Sequence, residues 1–116
     1  MTRIRTKQLY KRQDGATSVV VKRSIIIAGH KTSVSMEDAF WRALTNYQAG
    51  QNKELGLKKG EYGYVTLGKI VADIDVSKPN GANLSCAIRL FILNLMQQEI
   101  QLLSETLSAV MQKKAA

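Results

Sequence analysis

Two β-branched triplets, Val19-Val20-Val21 and Ile25-Ile26-Ile27, lie near the start of this 116-residue chain and concentrate most of its strand-forming character in one short region. Such runs favour strands. Gly29 then permits a bend or bulge. Residues 31–36 (KTSVSM) alternate: Thr32, Val34 and Met36 fall on one face, Lys31, Ser33 and Ser35 on the other. That pattern describes a half-buried strand with one polar face.

Helical signals follow at once. Ser35 with Asp38 three residues later reads as a capping box, and Glu37 and Asp38 suit the positive end of a helix dipole. Phe40, Trp41, Leu44 and Tyr47 recur at helical spacing, and Gly50 is a stop signal, so a first helix is expected over about 36–49. Residues 50–65 hold four glycines and no sustained period. They read as an irregular connection with a short strand at Tyr62–Val65. Thr66 can cap a second helix whose apolar face is Leu67, Ile70, Val71 and Ile74. Pro79 and Asn80-Gly81 break it within the loop 75–82. Asn83 can cap a last, long helix running to about Lys113. Along it Leu93, Met96, Ile100, Leu103, Leu107 and Val110 are spaced 3, 4, 3, 4 and 3 apart, a heptad-like seam that calls for a partner helix. Cys86, at its start, reads as a small buried apolar residue.

The charge is strongly basic and unevenly spread. The formal net charge is +8, and residues 1–31 carry eight basic groups against Asp14 alone. A charge so far from zero implies an anionic partner, with nucleic acid first and a membrane surface second. Residues 1–17 read as a basic flexible arm (Arg3, Arg5, Lys7, Lys11, Arg12). Residues 18–96 read as the folded domain and residues 97–116 as an extension of the last helix. No apolar run is long enough to span a bilayer, and no secretory signal is visible, so a cytoplasmic setting without membrane association is expected.

Little points to catalysis. Asp73 and Asp75 are two apart and do not share a helix face. The glycines at 56, 60, 63 and 68 are not followed by the Gly-Lys-Ser/Thr of a phosphate loop. One His and one Cys cannot build a tetrahedral zinc site within one chain. The chain therefore reads as a non-enzyme with no cofactor and no metal.

The run RSIIIAGHKTSVSMEDAFWRAL (residues 23–44) resembles the opening of a bacterial ribbon-helix-helix subfamily. GKIVADID (68–75) and NLSCAIRLFIL (83–93) are similar to that subfamily's later helices in the same order, so the resemblance spans about residues 23–96. The link between the first two helices is longer here than the family pattern, and the basic arm and the C-terminal tail are additions. The resemblance implies a mostly α fold with a short β ribbon. Two chains form an obligate dimer, each giving one strand to an intermolecular antiparallel ribbon that enters the major groove of double-stranded DNA. It further implies that a helix N-terminus grips phosphate.

On that reading Lys31 and Ser33 are the leading base-contact candidates, with Thr32 and His30 behind them. Lys22, Arg23, Thr66, Leu67 and Asn83 are candidates for phosphate. The basic arm adds largely sequence-blind affinity. Val34, Met36, Phe40, Trp41 and Leu44 are expected in the dimer core. The function expected is a transcriptional regulator, acting as a homodimer or higher oligomer associated with the nucleoid. One alternative is an antitoxin whose C-terminal helix engages a toxin. Another is a DNA-independent assembly module with a basic arm.

Overall fold

The computed structural model describes residues 20–115, in two compact units that divide after Asp73. The basic arm and Val19 lie outside the described residues.

In the first unit, β1 (Val20–Ile27) and β2 (His30–Glu37) form a two-stranded antiparallel sheet. They are joined by a two-residue turn in which Ala28 (φ 49°) and Gly29 (φ 79°) both have positive φ. This hand of turn matches the right-handed twist of the strands it connects. The register pairs Ile27 with His30 and Val20 with Glu37. Directly opposed residues share a face, so pairing and alternation together sort the side chains. Ile25, Val34 and Met36 point inward and are buried; Lys22, Ser24, Lys31, Ser33 and Ser35 are exposed on the outer face.

Here the structure departs from the expected chain pairing. The ribbon described is a hairpin within one chain, whereas an interchain ribbon was expected. Val34, Met36 and Leu44, expected to need a second chain, are buried to 1% or less exposure by their own chain. The turn at Ala28-Gly29 is the reason for the pairing, because it returns β1 alongside β2 within the chain. Phe40 and Trp41 remain half-buried.

β2 runs without a loop into α1 (Asp38–Leu55). The helix is capped two residues later than the expected Ser35. Pairing with β1 keeps residues 35–37 extended, and Glu37 is the N-cap, with no side-chain capping bond. Asp38 holds two arginines: Arg23 Nη2 donates to its Oδ1 at 2.9 Å, and Arg42 Nε lies 3.1 Å from its Oδ2. Nor does Gly50 end the helix. The chain continues to Leu55 and stops at Gly56 (φ 69°). There the Gly56 N–H donates to Lys53 O and the Leu57 N–H to Asn52 O, the paired bonds of a Schellman cap.

No strand forms at Tyr62–Val65; the segment from Gly56 to Thr66 is made of turns. Its anchor is Asn52, which is buried. Asn52 Oδ1 accepts the Val65 N–H at 2.7 Å, and its Nδ2 donates to Val65 O at 2.8 Å, joined there by Gln48 Nε2 at 3.1 Å. One amide side chain thus supplies what a neighbouring strand would have supplied. Next comes α2 (Leu67–Ser77), capped as expected by Thr66, whose Oγ1 accepts the Lys69 N–H at 3.1 Å. Its residues Ile70 and Val71 complete the buried apolar set of this unit.

The second unit takes in the end of α2, a turn, and α3 (Leu84–Ala115), a single 32-residue helix. Asn83 caps it, with Oδ1 accepting the N–H groups of Ser85 (2.8 Å) and Cys86 (3.3 Å). Ile74, Ile88 and Ile92 are buried. Cys86, expected to be buried, is exposed, because the first turn of α3 presents it away from the face of Ile88 and Ile92. From Met96 to Lys114 every residue is exposed.

Candidate nucleic-acid interface

The outer face of the ribbon is built from three opposed pairs, Lys22 with Ser35, Ser24 with Ser33, and Ile26 with Lys31. All six residues are exposed. The two lysines sit diagonally at opposite ends, with three hydroxyls between them. Ile26, 67% exposed, is the one apolar member. Two strands about 4.8 Å apart, with side chains standing off them, fit a major groove about 12 Å wide. Lysine ammonium groups and serine hydroxyls can donate to base acceptors, and an exposed aliphatic group can meet a thymine methyl.

Lys31 and Ser33 therefore stand where the alternation placed them. Thr32 lies on the inner face, half-buried opposite Ile25, and His30 sits at the turn beside Ile27. Lys22 joins the outer face. Arg23 does not. It points inward, opposite Val34, binds Asp38, and stacks its guanidinium carbon 4.9 Å from the centroid of the Trp41 ring. Its charge is engaged in holding β1 to α1.

Ser24 and Ile26 are face residues that sequence reasoning missed, and Ser35, placed on this face by the alternation, was not carried forward as a contact. Ser35 was assigned to a cap. Ser24 and Ile26 were hidden because an unbroken Ile triplet shows no alternation. The strict alternation of 31–36, carried across a two-residue turn, was the signal that could have found them.

The first turn of α2 lies close to one end of this face. A Cβ on Gly68 would run into the carbonyl oxygen of Ile26, so the helix backbone and β1 are in direct contact there. Thr66 and the N–H groups of Leu67 and Gly68 belong to that turn, and first-turn N–H groups lack partners within their own helix. Asn83 belongs to the other unit, where its carboxamide caps α3. Among the described residues no group of three or more His, Cys, Asp or Glu could hold a metal ion, and no helix is long and apolar enough to cross a membrane.

Two antiparallel strands leading directly into a helix, followed by further helices, are consistent with a ribbon-helix-helix fold. The comparison with family models agrees: residues 20–56 match the family described as the ribbon-helix-helix domain. The match covers β1, β2 and α1 and ends at the Gly56 cap, so the GKIVADID and NLSCAIRLFIL segments lie outside it. No curated protein and no solved structure matches the chain significantly.

Proposed function

We propose that this protein is a sequence-specific DNA-binding transcriptional regulator that reads the major groove with the outer face of its ribbon. The observation that carries the reading is that face itself. Lys22, Ser24, Lys31, Ser33 and Ser35 are exposed together on a ribbon narrow enough for the groove, at the basic end of the chain. Lys31 and Ser33, near the turn, contact base edges, and Lys22 contacts phosphate. Thr66 and the first N–H groups of α2 take a second phosphate beside Ile26. The protein acts as a homodimer in the cytoplasm, associated with the nucleoid. Among the described residues the sheet has two strands, so β2 stands at its edge, which suits strand addition by a second copy. The basic arm strengthens binding to all sequences alike.

Fluorescence anisotropy across a salt series tests this, using DNA from the protein's own upstream region and a shuffled control. Preference for the native sequence at physiological salt, lost in Lys31→Ala and Ser33→Ala, supports the reading. Deleting residues 2–12 should weaken both DNAs equally. Binding to neither DNA at low salt would overturn it.

A further inference from the structure

The exposed face of α3 is the largest unpartnered apolar surface among the described residues. Leu93, Met96, Ile100, Leu103, Leu107 and Val110 are each 48–69% exposed, and all six keep the 3-4 spacing of a coiled-coil seam. Ile88 and Ile92 are buried nearer the start of the same helix, and Ile92 borders the seam one turn before Met96, so the seam runs on beyond what the chain itself covers. Arg89 and Lys114, at the next seam positions, close it at its two ends.

We propose that this seam is occupied by α3 of a second copy of the chain, packed antiparallel. The argument is self-complementarity at one register. With Ile100 facing Leu103 of the second copy, Met96 faces Leu107 and Leu93 faces Val110, so each of the six apolar seam residues meets an apolar partner; the same register sets Arg89 against Lys114 of the second copy at each end, where both long side chains can turn their charge out to solvent. The same register brings together two further exposed residues, Leu90 (65%) and Met111 (61%), on one flank of the seam. A parallel pair would leave them beside Ser85 and Thr106 instead. No like charges meet on the flanks: Glu99 falls beside Thr106 of the second copy, and Gln97 beside Ser104.

The area is sufficient. Eight aliphatic or thioether side chains left half to two-thirds exposed present on the order of 500 Å² per copy, or about 1,000 Å² for the pair, the size at which a specific interface begins. At 1.5 Å per residue, the two α3 N-termini would leave such a pair on the order of 50 Å apart. This contact is made by α3 and is distinct from the strand addition proposed for β2. The inference does not depend on the ribbon binding DNA.

Cross-linking of the full chain tests it, in a Cys86→Ser background. Leu93→Cys and Val110→Cys are made singly, then co-refolded and oxidised. The antiparallel pair predicts disulfide-linked dimer from the mixture and none from either variant alone, since only residues 93 and 110 come within the 7 Å Cα separation that a disulfide tolerates. Ile100→Glu with Leu103→Glu should lower the mass found by light scattering by half while keeping the helical content, because both positions are exposed in the single chain. Self-linking of each single variant would overturn the antiparallel arrangement. An unchanged mass in the double Glu variant, with no cross-linked species, would overturn self-association through this face. Neither outcome bears on the DNA titration.

Discussion

Asn52 satisfies both backbone polar groups of Val65, a residue 13 positions further along the chain. The pair fixes the residue immediately before the Thr66 cap, and so fixes where α2 begins. It is the element that lets a turn-rich connection, longer than the family pattern, end at a defined point beside β1. Asn52→Leu leaves the Val65 N–H and C=O without that partner in a half-buried site. The expected loss is about 2–4 kcal/mol, from two backbone groups at roughly 1–2 kcal/mol each. Urea unfolding followed by circular dichroism measures it. A loss below about 0.5 kcal/mol, the size of an ordinary surface substitution, would mean that water replaces Asn52 at no cost.

Two glycines in helices should respond in opposite directions to alanine. Gly50 lies inside α1 with nothing within 4 Å of a Cβ, so Gly50→Ala gains helix propensity alone and should stabilise by about 0.5–1 kcal/mol. Gly68→Ala puts its methyl against the Ile26 carbonyl, a backbone atom held in the ribbon. It should destabilise by about 1–3 kcal/mol, as overpacking does. Paired thermal melts decide this, and a Gly68→Ala variant as stable as the parent would refute the close approach.

The ribbon turn stores strain at a single residue. Ala28 occupies the left-handed region, which costs a residue with a Cβ about 1–2 kcal/mol, whereas asparagine tolerates it and Asn-Gly suits this turn well. Ala28→Asn is therefore expected to raise stability by about 0.5–1 kcal/mol. An unchanged denaturation midpoint would argue that the turn relaxes in solution.

Neighbouring basic residues on β1 should separate cleanly by phenotype. Arg23→Ala removes the bond to Asp38 and the stacking on Trp41, and should cost about 1–2 kcal/mol of stability. Lys22→Ala should leave the melt unchanged. On the proposed function it lowers the slope of log affinity against log salt by about 1, the loss of one phosphate contact. Equal effects of the two substitutions on stability would contradict their placement on opposite faces.

Much of this chain was legible before any coordinates. The alternation of 31–36 set the inner and outer faces of β2, because a strand's side-chain period is two and only one face can be buried. Thr66 and Asn83 announced their caps, since their side-chain oxygens reach the first N–H groups of the helix that follows. The 3-4 spacing of 93–110 announced a helix face needing company.

What pairs with what was decided only in three dimensions. Whether β1 would fold back on β2 or leave its place to another chain depended on two residues adopting positive φ at the turn, and local composition records that only weakly. Extended pairing through Glu37 then moved the helix N-cap from Ser35 to Glu37. Arg23 went inward for Asp38 and Trp41, although its sequence neighbours are basic and exposed. Asn52 found Val65 across a loop whose composition carries no trace of the contact. Local chemistry determines which elements this chain can form and which faces they present, because those preferences act within a turn of helix or a pair of strand residues. Which side chain satisfies which distant backbone group is settled by the closure of the fold, because it depends on distances that exist only once the chain has folded.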